Sequence, residues 1–250
     1  MLDLFTIAMI AGTFLLAGAV KGVIGLGLPT VSLGLLTASL DLTTAMALLI
    51  VPSFVTNLWQ ALAGGNGRAI LLRLWPFLLM ATTTVWLGAT ALTRVDLSLL
   101  SGLLGGLLVT YAALNLAGVH IAIPAQREVW AGPLFGTANG LLTGMTGSFV
   151  VPGVMFLQAI GLSRDMLVQA MGMLFIASTV ALALALQGNS LFTTQLSLVS
   201  VSAVAPAVAG MAAGRRIRQR LSEDRFRQLF FIAIFVLGAY IIAKAAVGLW

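Results

Sequence analysis

Two stretches of this sequence bring together residue types that can hold an anion. The first, GAVKGVIGLGLP at 18–29, sets Lys21 among Gly22, Gly25, Gly27 and Pro29 with no other charge nearby. The second, GTANGLLTGMTGSFVVP at 136–152, offers Asn139, Thr143, Gly144, Thr146, Gly147, Ser148 and Pro152. Glycine lets a chain leave a helix abruptly, and proline suits the first turn of the next helix because its missing N–H would have had no partner there. A helix that starts at such a break points unpaired amides and the positive end of its dipole outward, which favours a negative group. Lys21 adds a full charge, at a burial cost of about 2.5–3.5 kcal/mol near a bilayer centre. The expected site is therefore cationic on one side and lined by hydroxyls and amides on the other, suiting an anionic head on a small body. The competing readings are a lysine that reaches from a helix end to the headgroups, and glycines that serve close helix packing.

The elements that must position these residues are membrane helices. Of 250 residues 60% are hydrophobic and only 8% charged, against about 25% charged in an ordinary soluble domain. That length allows about seven or eight helical crossings, and the long unbroken apolar runs do not alternate as barrel strands do. The expected fold is an all-α polytopic membrane protein. Full spans are expected at 41–63, 74–93, 97–119, 166–187, 193–213 and 227–249, leaving the two Gly-rich segments 3–40 and 130–163. The amino-terminal MLDLFTIAMIAG has an acid and no basic residue before its apolar run, so it is expected to be retained rather than cleaved.

The Gly-rich segments begin two repeats, 1–123 and 124–250. Gly18-x3-Gly22-x2-Gly25 aligns with Gly136-x3-Gly140-x3-Gly144, Pro29 falls near Pro152, Gly88 pairs with Gly210 and Tyr111 with Tyr240; Asn139 then stands in the place of Lys21. Each segment reads as a helix, a glycine interruption and a short helix, at 29–40 and 151–161, too short to cross about 30 Å of hydrocarbon. Either they are re-entrant hairpins, each followed by three full spans, or they are broken full spans. An odd number of spans per repeat inverts the second repeat, and paired interruptions of this kind mark a binding site.

The basic residues favour inversion. Arg68, Arg73, Arg127, Arg164 and the loop at 214–227, with Arg215, Arg216, Arg218, Arg220, Arg225 and Arg227, then fall on the cytoplasmic side, leaving Arg94 and Lys244 outside. The net charge of +6 is thus read as a loop facing anionic lipid and not as nucleic-acid binding. Trp59, Trp75, Trp130 and Trp250 fall near segment ends, and Trp86 is expected to serve packing. Asn57, Gln60 and Gln169 lie in the spans that follow the hairpins, able either to line the cavity or to tie helices together.

Other chemistry is poorly supplied. One histidine, His120, and no cysteine cannot build the usual metal set, and His120 is distant in sequence from Ser148, the serine a hydrolase would need. No GxxxxGK[ST] motif is present and no cofactor is expected. The acids lie at segment ends, so a coupling proton would ride on the substrate or on Lys21, and passive anion efflux fits equally.

GAVKGVIGLGLP and its echo GTANGLLTGMTGSFVVP resemble the two signature segments of the sulfite exporter TauE/SafE family, also called the 4-toluene sulfonate uptake permease family. The resemblance extends over nearly the whole chain. It implies an inner-membrane transporter of sulfur-containing anions such as sulfite, sulfonates or sulfoacetate, with some members assigned small carboxylates. Lys21, Gly22, Gly25, Gly27 and Pro29 match the first motif, and Gly140, Gly144, Gly147 and Pro152 the second; Ser148 stands where many relatives have a further glycine. The expectation is a secondary transporter, an exporter working by alternating access, with a passive anion channel or a carboxylate carrier as the alternative. Its expected partners are the anion and the lipid bilayer, with a homodimer left open.

Overall fold

The computed structural model describes residues 3–119, 121–218 and 222–248, so His120, Arg220 and Trp250 lie outside the described residues. All regular structure among the described residues is helical. In order come α1 (Leu4–Ile24), α2 (Leu28–Ser39), α3 (Leu42–Leu62), α4 (Gly67–Thr83), α5 (Val85–Ala89), a 3₁₀ turn (Thr90–Thr93), α6 (Leu97–Leu116) and α7 (Ala125–Thr146). They are followed by α8 (Gly153–Ala159), α9 (Arg164–Gly188), α10 (Thr194–Ser202), α11 (Val204–Arg218) and α12 (Glu223–Ala246). Among the described residues, seven stretches are long and apolar enough to span: α1, α3, Gly67–Thr93, α6, α9, Thr194–Arg218 and α12. The chain is a multi-pass membrane protein, and its six expected full spans all fall on these helices.

Helix starts explain the acids at segment ends. The side chains of Asp3, Asp96, Ser163 and Thr193 accept from the amides of Thr6, Ser98, Met166 and Leu196 at the starts of α1, α6, α9 and α10. Asp41 does the same at α3, accepting from the Thr44 amide at 2.8 Å and the Thr43 hydroxyl at 2.6 Å. Each satisfies an amide that the first turn leaves unpaired.

α7 is longer than the expected 130–144. It begins at Ala125, and its polar first turn, invisible to a search for apolar runs, is held by Glu128, which pairs with Arg73 of α4 at 2.9 Å through Nε and also through Nη2. Trp86 also differs from expectation: α5 buries Val85, Gly88 and Ala89, which leaves Trp86 47% exposed.

The chain divides into two compact units, each drawing on both halves of the sequence. Unit 1 comprises Met1–Pro52, Asp96–Gly118 and Thr193–Trp250; unit 2 comprises Ser53–Val95 and Val119–Phe192. In unit 1, α1 crosses α11 through small residues. A Cβ on Gly18 would collide with the Ala207 carbonyl, one on Gly22 with the Met211 carbonyl, and one on Gly210 with the Leu15 carbonyl. In unit 2, α7 crosses α4 and α5 in the same manner: Gly136 meets the Phe77 carbonyl, Gly144 the Val85 carbonyl and Gly88 the Leu141 carbonyl. Without glycine the backbones could not approach this closely, and in lipid such packing is a main source of helix association. Gly88 and Gly210, paired by sequence, thus occupy corresponding crossings within their own units.

Candidate functional site

The first hairpin lies wholly in unit 1. α1 ends when Gly25 turns left-handed, at φ 80°, with its amide bonded to the Lys21 carbonyl at 2.8 Å. Two residues later Gly27, at φ 108°, opens α2. Few L-residues other than glycine adopt such angles readily. At Gly27 there is also no room, since a Cβ would stand 3.0 Å from Val20 and 3.3 Å from the Phe230 ring. Pro29 is the second residue of α2, and no side chain caps the helix start. Lys21, in the last turn of α1, is only 5% exposed. The far end of α2 is neutralised, because Lys244 donates to the Ala38 carbonyl at 3.1 Å. A cation there complements the negative end of the helix dipole.

The second hairpin lies wholly in unit 2 and closes on itself. Gly147, left-handed at φ 73°, ends α7 with its amide on the Thr143 carbonyl at 2.7 Å. The Thr143 hydroxyl donates to the Ser148 carbonyl at 3.0 Å, and the Ser148 amide donates to the Thr146 hydroxyl at 3.2 Å. Thr146 itself donates to the Leu142 carbonyl at 2.7 Å. The Gly153 amide, at the start of α8, is taken by Asn139 Oδ1 at 2.9 Å. Pro152 is the N-cap of α8, after a cis Val151–Pro152 peptide, so the short helix is Gly153–Ala159 rather than 151–161. The Ile160 carbonyl beyond α8 accepts from Arg73 at 3.0 Å.

These caps shift the comparison of the two hairpins by one turn. Gly25 and Gly147 are the corresponding left-handed caps, and Gly18-x3-Gly22-x2-Gly25 then has the same spacing as Gly140-x3-Gly144-x2-Gly147. Lys21 therefore corresponds to Thr143, whose carbonyl plays the same part, and Asn139 corresponds to Ala17. The four glycines at 136, 140, 144 and 147 allow more than one alignment by count, and only the backbone angle distinguishes the cap from the crossing residues.

Asn57, Gln60 and Gln169 also lie in unit 2, where each has structural work. Asn57 donates to Ser53 Oγ at 3.0 Å, and Gln60 to the Val168 carbonyl at 2.9 Å. Gln169 donates to the Ala61 carbonyl and accepts from the Asn66 amide, both at 2.9 Å. Gln60 and Gln169 fasten the end of α3 to α9. An apolar cleft of about 410 Å³ lies in the same unit, lined by Leu71, Trp75, Leu78, Leu79, Thr82, Met173 and Ala177. Its one hydroxyl, on Thr82, is already donated to the Leu78 carbonyl, and no charged side chain lines it.

Sequence reasoning passed over two groups in unit 1. The hydroxyls of Thr30, in the first turn of α2, and Tyr111, on α6, are buried without a hydrogen-bond partner among the described residues. The pairing of Tyr111 with Tyr240 was a signal, for Tyr240 is 55% exposed while Tyr111 is 1% exposed.

The family model described as Sulfite exporter TauE/SafE matches residues 10–241, and the chain belongs to that family. It is a family of anion-exporting membrane transporters. Neither a curated protein nor a solved structure matches the chain.

Proposed function

We propose that this member of the sulfite exporter TauE/SafE family is a secondary transporter that exports small sulfur-containing anions, such as sulfite or organosulfonates. It works by alternating access around an anion site at mid-membrane depth. The observation that carries this reading is the first hairpin, where the uncapped start of α2 follows directly on a helix end bearing the buried Lys21. A sulfonate or sulfite group presents acceptor oxygens, and amides and an ammonium are the donors that match them.

Several features support the wider picture. Each sequence half, 1–123 and 124–250, contributes a hairpin with the same glycine spacing, in keeping with inverted repeats. Arg215, Arg216 and Arg218 near the end of α11, with Arg225 and Arg227 early in α12, agree with a cytoplasmic loop in a bacterial inner membrane. Asp3, Asp41 and Asp96 are committed to helix starts, so the reading invokes no carboxylate relay and no catalytic step.

The test is sulfite flux in proteoliposomes. Wild-type protein should show saturable flux that sulfite on the opposite side accelerates, and Lys21→Met should lose it while eluting and melting as a folded protein. Wild-type flux in Lys21→Met would refute the central role of the hairpin. Conductance that does not saturate would identify a passive channel instead.

A further inference from the structure

The neighbours of α2 within unit 1 fix the level at which its first turn lies. α2 runs alongside α12 in the same direction: Gly27 abuts Phe230, Gly34 abuts Leu237, and the Ala38 carbonyl accepts from Lys244. α6 runs opposite to α12, because Gly105 meets Ile242, Tyr111 meets Phe231, and Asn115 accepts from Arg227. α2 and α6 are therefore antiparallel, and they touch where Gly34 faces Leu108. One turn back along α2 from Gly34 is Thr30, and one turn onward along α6 from Leu108 is Tyr111. Both residues fall at the level of Phe230, Phe231 and the uncapped helix start.

At that level the two hydroxyls have nothing to bond. Thr30 is 3% exposed and Tyr111 is 1% exposed, and neither oxygen has a partner among the described residues. Native structures leave few buried hydroxyls unpaired. Threonine in a helix often bonds backward to a carbonyl three or four residues earlier, as Thr82 does to Leu78, but Thr30 makes no such bond. A tyrosine oxygen stands too far from its own backbone for that remedy. The Tyr111 ring is also held in place: it packs edge-on against Phe231 with centroids 5.3 Å apart, and Arg227 lies over Phe231 at 5.7 Å.

We infer that Thr30 and Tyr111 donate their hydroxyl hydrogens to the oxygens of the transported anion, beside the first-turn amides of α2 and Lys21. The inference rests on the anion-export reading above and gives it a substrate chemistry. Lys21 and the first-turn amides can only donate, and the two hydroxyls have hydrogens to give, so the ligand they fit is an oxyanion that presents acceptor oxygens to them. Thr37 provides a comparison on the same α2 face, since its hydroxyl is also buried and unpartnered but lies two turns from the helix start.

The experiment measures melting temperature against concentration for the full-length protein in detergent, with sulfite and methanesulfonate as probes. Wild type, Thr30→Val, Tyr111→Phe, Thr37→Val and Lys21→Met are compared. Thr30→Val and Tyr111→Phe are expected to melt without ligand at or above the wild-type temperature, because each removes a buried unpaired hydroxyl with little change of shape. Each should need roughly 10- to 100-fold more anion for the same shift, since it loses a hydrogen bond to a charged group. Thr37→Val should respond as wild type does. The inference is overturned, and the export reading kept, if both hydroxyl variants respond as wild type while Lys21→Met does not. It is overturned too if either variant melts lower without ligand, which would mean that its hydroxyl is already satisfied, or if Thr37→Val weakens binding equally. If wild type responds to neither probe, the export reading falls and the inference with it.

Discussion

Three glycines of α1 and its cap look alike in sequence, yet alanine at each should have a different consequence. At Gly22 a Cβ would collide with the Met211 carbonyl and stand 2.9 Å from the Arg215 nitrogen and 3.0 Å from the Gly214 Cα. All three are backbone atoms of α11 and cannot rotate away, so α1 and α11 must part. Overpacking of this kind costs about 1–3 kcal/mol. At roughly 2–4 °C per kcal/mol for a chain of this size, Gly22→Ala should lower the melting temperature by about 2–12 °C. Gly12 is an interior position of the same helix with nothing within 4 Å of its Cβ, so Gly12→Ala should stabilise by about 0.5–1 kcal/mol. Gly25 also has open space, but its φ of 80° strains an L-residue, and Gly25→Ala should cost about 1–2 kcal/mol despite the room. Intrinsic fluorescence melts of the detergent-purified variants give the order. The packing argument fails if Gly22→Ala melts with the wild type, or if Gly12→Ala falls as far as Gly22→Ala.

Asp41 predicts an acid limit. Burial pushes its carboxyl up, but hydrogen bonds from Thr43 and Thr44 outweigh burial and hold it below the usual carboxylate range. Its stabilisation is thus complete above the unfolded-state value of about 3.9 and lost as pH falls through the lower folded-state value, so Asp41→Asn should flatten the acid decline in melting temperature. Arg73 and Glu128, with side chains 38% and 13% exposed, form a two-bonded pair. A double-mutant cycle should give a coupling of about 1 kcal/mol that shrinks in high salt, and a coupling of zero would reduce the pair to an ornament of the surface. Asn139→Leu strands the buried Gly153 amide and should cost about 1–3 kcal/mol in chemical denaturation; wild-type stability would show that Asn139 does not hold α8.

What was legible in the sequence followed from effects that act over many residues. Apolar runs located the spans because hydrocarbon demands some twenty such residues in succession. The first hairpin was legible too, since Lys21, Gly25, Gly27 and Pro29 each break the surrounding pattern. The second was harder. Glycines at 136, 140, 144 and 147 repeat at helical spacing, and nothing in composition says that Gly144 packs against α5 while Gly147 ends the helix. Asn57, Gln60 and Gln169 were rightly seen as polar groups needing partners, but Gln60 and Gln169 find theirs on backbone groups 108 positions away, and Asn57 finds Ser53 one turn back on its own helix. Thr30 and Tyr111 gave the opposite difficulty. Each is an unremarkable residue in an apolar helix until packing shows that its hydroxyl has no partner.

The corrected comparison of the hairpins also bears on why the proposed anion site is assigned to the first of them. Where unit 2 has Asn139 to take up the Gly153 amide, unit 1 has Ala17, which has no polar atom in its side chain to offer α2. Where unit 2 has Thr143 to close its loop on the Ser148 carbonyl, unit 1 has Lys21. Two exchanges at corresponding positions therefore change the polarity of the break, while each hairpin keeps a buried donor without a partner among the described residues, Asn139 Nδ2 in the second and the Thr30 hydroxyl in the first. In unit 2 the side chains satisfy the backbone that leaves the helix, as burial in lipid requires. In unit 1 the start of α2 has no side-chain cap, a cation is buried just before it, and the hydroxyls of Thr30 and Tyr111 are left unpaired at the same level. Such an arrangement is costly as a scaffold alone, and a bound oxyanion would remove much of that cost by accepting from each of these donors.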